Sequence, residues 1–142
     1  MTRRYPARFS HEMQACMLAL LLVLANLVLA GPSSAQTASL DGSWSGSGSV
    51  SFASGARETA RCRAQYSRAS STSYILRATC ATPSGRATQT ATLRHVGGNN
   101  YQGRFHNSEF DVSGTIHVTV GGNRQTVRLT ADAGSGFFEL RR

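Results

Sequence analysis

The stretch ARCRAQYSRASSTSYILRATC (60–80) carries the clearest indication of the fold of this chain. On either side of the turn-forming run SRASSTS (67–73), small or apolar residues alternate with polar ones, as in a β-strand with one buried face. The residues that share the apolar face are Ala60, Cys62, Ala64 and Tyr66 before the turn, and Tyr74, Leu76, Ala78 and Cys80 after it. The stretch therefore predicts an antiparallel β-hairpin.

The two cysteines of this stretch provide a check on the hairpin. If the chain turns within residues 67–73, Cys62 and Cys80 lie opposite each other and both belong to the apolar face. Opposed Cβ atoms on neighbouring strands are about 4.5–5.5 Å apart, which is close to the reach of a disulfide. The sequence therefore predicts a Cys62–Cys80 disulfide, which would contribute about 3 kcal/mol by closing a short loop.

The rest of the chain after residue 40 follows the same plan. Turn-forming runs recur at short intervals and divide it into eight segments, several of which alternate with a period of two. Short strands with short connections are typical of an antiparallel meander. The predicted fold is all-β, an eight-stranded up-and-down barrel with one disulfide, and a two-sheet β-sandwich is the alternative.

The glycine-rich and serine-rich segment WSGSGSVSF (44–52) is interpreted as the first strand. Trp44, Gly46, Gly48, Val50 and Phe52 share one parity and the serines share the other, an alternation that a flexible linker has no reason to keep. Glycine within a strand permits sharp coiling or the close approach of another chain or a ligand. Two roles remain open for these glycines, making room for a ligand or letting the barrel close.

The N-terminal segment has the order of residues found in secretory signal peptides. Three arginines precede an apolar run over residues 15–30, and small residues follow it. We therefore expect a signal peptide over residues 1–35, a single barrel domain over 36–142, and a periplasmic or secreted location. The paired cysteines fit an oxidising compartment. Removing three arginines and Glu12 lowers the formal charge from +8 to +6, and no transmembrane span is expected after cleavage.

The ends of the predicted barrel resemble a known group of barrels. Gly42-Ser43-Trp44 at the first strand, with Arg141 and Arg142 in the last, is similar to the G-x-W signature of the calycin superfamily. The resemblance implies that Trp44 closes one end of the barrel and that Arg141 or Arg142 stacks on its indole. Such a contact is worth about 0.5–2 kcal/mol.

Within that superfamily, the chain looks most like the bacterial inhibitors of secreted metalloproteases, which also have a signal peptide and one disulfide. The resemblance implies that residues 36–40 would form an arm that enters a protease cleft. A small apolar ligand is another predicted partner, because Tyr66, Tyr74 and Phe105 point inward by parity. Many other inward residues are small, so the interior either forms a cavity or packs tightly around the aromatic rings.

A third predicted partner is an anionic polymer or lipid of the cell envelope. Arg61 and Arg63 point outward from the second strand and Arg77 from the third, where they form a candidate anion-binding patch. No aromatic residues alternate with these arginines, so specific nucleic-acid binding is not expected. Solvation of the sheet face is the simpler interpretation of the same charges.

The sequence does not indicate an enzyme, a cofactor or a metal site. His95, His106 and His117 are evenly spaced, but on neighbouring strands this spacing keeps them apart. The serines occupy turns or the outer face of the first strand, and the nucleophile motif G-x-S-x-G is absent. The sequence therefore predicts a non-enzymatic binding protein whose ligand it does not identify.

Overall fold

The computed structural model describes residues 39–142, and this part of the chain is an eight-stranded β-barrel without a helix. The predicted signal peptide (1–35) and residues 36–38 of the predicted arm lie outside the described residues. The strands are β1 (Gly42–Phe52), β2 (Arg57–Arg68), β3 (Ser73–Thr82), β4 (Gly85–Gly97), β5 (Asn100–Asn107), β6 (Val112–Gly121), β7 (Arg124–Ala131) and β8 (Gly134–Arg141).

The strands form a closed antiparallel meander. Each strand pairs with the next along the chain, and β8 returns to pair with β1. The predicted up-and-down barrel is therefore confirmed, and the β-sandwich alternative is wrong. Closure follows from eight strands with short connections, because it satisfies the two edges that an open sheet would expose.

The predicted hairpin has the expected register. Cys62 lies directly opposite Cys80 across β2 and β3, and a disulfide joins them, as predicted from the sequence. Along β2, buried residues alternate strictly with exposed ones from Ala60 to Tyr66. The arginines of this strand therefore point to solvent while the disulfide points into the barrel.

The interior is most tightly filled in the half of the barrel that contains the start of β1. The large side chains with less than 2% exposure are there, and they are Trp44, Tyr66, Leu40, Leu93, Ile116, Val118 and Val120. Side chains of this size fill an eight-stranded barrel completely. This half is a packed core with no room for a ligand beyond small voids.

The glycines of β1 allow the barrel to close. A Cβ atom added to Gly46 would lie 2.0 Å from the carbonyl oxygen of Glu139, and one added to Gly48 would lie 1.9 Å from that of Phe137. Both oxygens belong to the backbone of β8, so only glycine permits β8 to approach β1 this closely. Of the two roles that the sequence left open, the structure therefore supports closure.

Replacing Gly48 by alanine should destabilise the barrel much more than the same change at Gly121. We expect Gly48→Ala to lower the free energy of unfolding by about 2–3 kcal/mol, because the new methyl group overlaps the β8 backbone. Gly121 has no atom within 4 Å of an added Cβ, so Gly121→Ala should change stability by less than about 0.5 kcal/mol. Urea denaturation of both variants measures the difference, and equal midpoints would contradict this account of closure.

Candidate functional site: the two ends of the barrel

The two ends of the barrel differ in construction. The closed end carries residues 39–41, the turns after β2, β4 and β6, and Arg142. The opposite end, called the mouth here, carries the turns after β1, β3, β5 and β7. Antiparallel pairing of an even number of strands places alternate turns at opposite ends, so each end is assembled from distant parts of the sequence.

Trp44 closes one end together with backbone groups. Its indole Nε1–H donates a hydrogen bond of 2.9 Å to the carbonyl of Leu40, and the side chain is 1% exposed. The guanidinium carbon of Arg142 lies 4.6 Å from the centroid of the ring system, and Arg142 also donates to the carbonyl of Asp41 at 3.1 Å. Of the two arginines named from the sequence, Arg142 lies over the indole, whereas Arg141 is paired with Ser45 and Arg124 on the outer face.

The residues before β1 are fixed to the closed end. Asp41 forms an ion pair of 3.0 Å with Arg68, and this hydrogen bond raises the pKa of the Arg68 guanidinium. Arg68 lies 5.0 Å from the centroid of the Tyr74 ring and donates to the hydroxyl of Ser39 at 3.2 Å. Leu40 is completely buried. The last residue of the predicted protease-binding arm is therefore part of the core.

Two of the three inward-facing aromatic residues named from the sequence fill the closed half. Tyr66 donates a hydrogen bond of 3.1 Å to Oε1 of Gln125, and burial raises the pKa of its hydroxyl. Tyr74 packs edge-on against Tyr101 with ring centroids 5.5 Å apart. Within residues 39–142, the Nε2 group of Gln125 has no hydrogen-bond partner. Tyr66 and Tyr74 therefore pack within the closed half and do not face the mouth.

The mouth holds an apolar cavity of about 250 Å³. Its apolar lining comes mainly from Val50, Phe52, Phe105, Phe110, Leu129 and Phe138. Phe110 is 65% exposed and Phe52 is 39% exposed, and both lie at the rim. Phe105 is thus the one aromatic residue of the three that lines this cavity, and the rim phenylalanines were not identified from the sequence.

The cavity ends a short distance into the barrel. Beneath it a void of only about 20 Å³ remains between Tyr66, Leu76 and Ile116 and their neighbours. Phe138 lines both spaces, and an added Cβ at Gly136 would lie 2.8 Å from its ring. A molecule that enters from solvent is therefore confined to the mouth.

Two carboxamides interrupt the apolar lining of the mouth. Asn107 and Gln89 lie directly opposite each other on β5 and β4. Oδ1 of Asn107 accepts hydrogen bonds from the backbone N–H groups of Glu109 (3.0 Å) and Phe110 (3.2 Å). These bonds fix the turn that presents Phe110 at the rim. Gln89 also lines the small void, so it lies at the base of the cavity.

The arginines form a second candidate surface on the outside of the barrel. Arg63 pairs with Thr79 and Arg77 pairs with Gln65, so the two arginines are diagonal neighbours on β2 and β3. The surface continues on both sides, and we call it the arginine face, defined by Arg61, Arg63, Arg77, Arg86, Arg124 and Arg141. Among the described residues, the one ion pair is that between Asp41 and Arg68, at the closed end. The candidate anion patch is therefore part of a larger basic surface.

The histidines and carboxylates of the described residues contact neighbouring turns and strands. His95 contacts the carbonyl oxygen of Gly98 at 2.7 Å, and His106 contacts the hydroxyl of Ser113 at 3.0 Å. A backbone N–H bond from Thr88 lowers the pKa of the Glu109 carboxyl. No group of three His, Cys, Asp or Glu residues within residues 39–142 is placed to hold a metal ion.

The same part of the chain contains no helix long and apolar enough to cross a membrane.

Comparison with known proteins identifies the fold but no family. No protein-family model matches the chain, and no curated protein matches it. The structure is similar to designed β-barrels, among them the redesigned barrel mFAP1 bound to DFHBI (TM-score 0.62, 15% identity, 72% of this chain and 94% of that one). Others are mFAP0 bound to DFHBI (TM-score 0.61, 15%, 72% and 98%) and a de novo designed fluorescence-activating β-barrel (0.57, 15%, 72% and 92%). At this identity the likeness shows the barrel fold alone, and the calycin resemblance of Gly42-Ser43-Trp44 stays a prediction.

Removing the side chain of Arg142 should loosen the closed end. We expect Arg142→Ala to lower the free energy of unfolding by about 1 kcal/mol, because the cation over the indole is lost. Trp44 is the only tryptophan, so its fluorescence reports directly on this end and should shift to longer wavelength. Arg141→Ala is the matched control, and an equal effect of the two variants would contradict the assignment.

Proposed function

We propose that this protein is a non-enzymatic binding protein that takes a small apolar molecule into the mouth of its barrel. The observation that carries the proposal is the apolar cavity of about 250 Å³ at the mouth, beside a packed closed half. Ligand sites are typically concave and mostly apolar, with a few polar groups that orient the ligand. The mouth has this composition.

The exposed aromatic rings at the rim support the same function. A phenylalanine that is 65% exposed, such as Phe110, leaves a large apolar surface in water. Single exposed apolar residues are common, but here two rings border one apolar depression. A bound apolar molecule would cover both rings and remove their surface from water, which is the main source of affinity in such a site.

The similar barrels supply an independent precedent. Two of them, mFAP1 and mFAP0, are described as bound to DFHBI. A barrel of eight strands is just wide enough to hold one small ligand. These barrels share only 15% of their residues with this chain, so the precedent concerns the shape of the site and not the identity of the ligand.

We place this binding protein outside the cytoplasm, in the periplasm or in the medium. The signal peptide expected over residues 1–35 supports this location, as does the disulfide between Cys62 and Cys80. Disulfides persist in oxidising compartments and are rare in the cytosol. The ligand would then be a molecule present in the periplasm or in the medium.

Fluorescence titration with the neutral apolar dye N-phenyl-1-naphthylamine tests the mouth. We expect one saturable site, with affinity reduced roughly tenfold in Val112→Trp, which fills the cavity, and severalfold in Phe110→Ser, which removes a rim ring. Val96 is also exposed but lies at the closed end, so Val96→Ser should bind the dye like the original protein. Absence of saturable binding, or equal binding by Val112→Trp, would reject the proposal.

The arginine face favours a second candidate function, association with an anionic polysaccharide. Arg124 lies directly opposite Arg141, and Ser45 alone separates Arg141 from Arg63 in the same row across β8, β1 and β2. Like charges placed opposite each other destabilise a sheet. An anionic polymer would relieve this repulsion, and the hydroxyl groups between the arginines could bind its sugars.

Heparin chromatography of paired substitutions tests this second function. Arg63→Gln with Arg77→Gln should elute at clearly lower salt, because both charges belong to the arginine face. Arg94→Gln with Arg104→Gln is a matched control, since these arginines are diagonal neighbours on β4 and β5, away from that face. Both pairs lower the net charge by two, so equal shifts would mean that only overall charge matters.

A further inference from the structure

We propose that the ligand of the mouth is a neutral apolar molecule with one hydrogen-bonding oxygen, and that the Gln89 carboxamide binds this oxygen. A ketone, an amide or a phenol has the required chemistry. The inference rests on the proposed function of the mouth and adds to it the class of the ligand. Three observations support it. Gln89 lies at the base of the cavity, its carboxamide has no hydrogen-bond partner among residues 39–142, and no charged side chain of these residues lines the cavity.

Gln89 lies at the base of the mouth cavity, where the inner end of a bound ligand would lie. Its side chain points inward from β4 and lines both the mouth cavity and the small void beneath it. Its cross-strand neighbours are Ala78 on β3 and Asn107 on β5. Ala78 is too short to cover the carboxamide, so this group is accessible from the cavity.

Within residues 39–142, the carboxamide of Gln89 forms no hydrogen bond. Asn107 differs, because its oxygen is already used by the two backbone N–H groups of the β5–β6 turn. Gln89 is only partly buried, so water in the open cavity can bind its carboxamide in the absence of a ligand. An apolar molecule that displaces this water without replacing its hydrogen bond leaves the amide unpaired, which costs about 1–3 kcal/mol. A ligand with a hydrogen-bonding oxygen at this position avoids that cost.

The lining of the mouth indicates that the ligand is uncharged. No arginine, histidine, aspartate or glutamate of the described residues lines this cavity, although arginines cover the outer surface. A carboxylate or an ammonium group in an apolar cavity without a counter-ion is strongly disfavoured. The carboxamide, which can both donate and accept, matches a neutral oxygen.

Competition between three ligands that share one ring system tests this inference on the mature protein. Naphthalene, 2-naphthol and 2-naphthoate each compete with N-phenyl-1-naphthylamine, and the measured quantity is the affinity of each. In Gln89→Leu, the preference for 2-naphthol over naphthalene should fall about fivefold, the effect of one hydrogen bond. Gln89→Met, which keeps the length of the side chain, should show the same loss. 2-Naphthoate should bind the original protein at least tenfold more weakly than 2-naphthol.

A control variant and the pattern of binding distinguish a wrong role for Gln89 from a failure of ligand binding at the mouth. Gln102→Leu makes the same change on the exposed face of β5 and should leave the preference unaltered. If naphthalene and 2-naphthol bind but both Gln89 variants keep the original preference, the role of Gln89 is wrong and the mouth remains a ligand site. Tight binding of 2-naphthoate would overturn the neutral class. If no ligand displaces the dye, the proposed function itself fails.

Discussion

The pairing of β1 with β8 is the contact on which the rest of this structure depends. It joins the first and last strands of the chain, and without it the sheet would have two open edges. The pairing requires the β8 backbone to approach within a distance that Gly46 and Gly48 permit and no larger residue would. Strand coiling at glycine is a recognised device for closing small barrels. The segment that looks most like a linker is therefore the one that closes the fold.

Within residues 39–142, the two ends of the barrel differ because residues 39–41 and Arg142 cover one of them. At the closed end, Leu40 and Trp44 are buried, and Arg142 lies over the indole. Among the described residues, short turns and the side chains of the strands border the mouth, so apolar groups are exposed there. The interior of this part of the chain is packed at the closed end and offers space for a small molecule at the mouth.

The arginines lie on the outer surface of the barrel wall, and the apolar lining lies on its inner surface. The alternation of a β-strand sends neighbouring residues to opposite faces, so Arg61 and Arg63 point out while Cys62 points in. The arginine face and the mouth are consequently distinct surfaces. The two proposed functions can be tested independently, because substitutions on the outer face leave the lining of the mouth unchanged.

The amino-acid sequence by itself determined the strands, their faces and the hairpin that contains the disulfide. These are local properties, since alternation and turn residues act over a few positions, and the 62–80 pairing follows from one turn. The sequence also marked Tyr66, Tyr74 and Phe105 as inward-facing, but it did not show which half of the barrel each would occupy. It gave no reason to connect Phe52, Gln89 and Phe110, which belong to different turns and strands. Only the tertiary structure decided that these three meet at the mouth, because the depth of a residue in a barrel depends on the stagger of all eight strands.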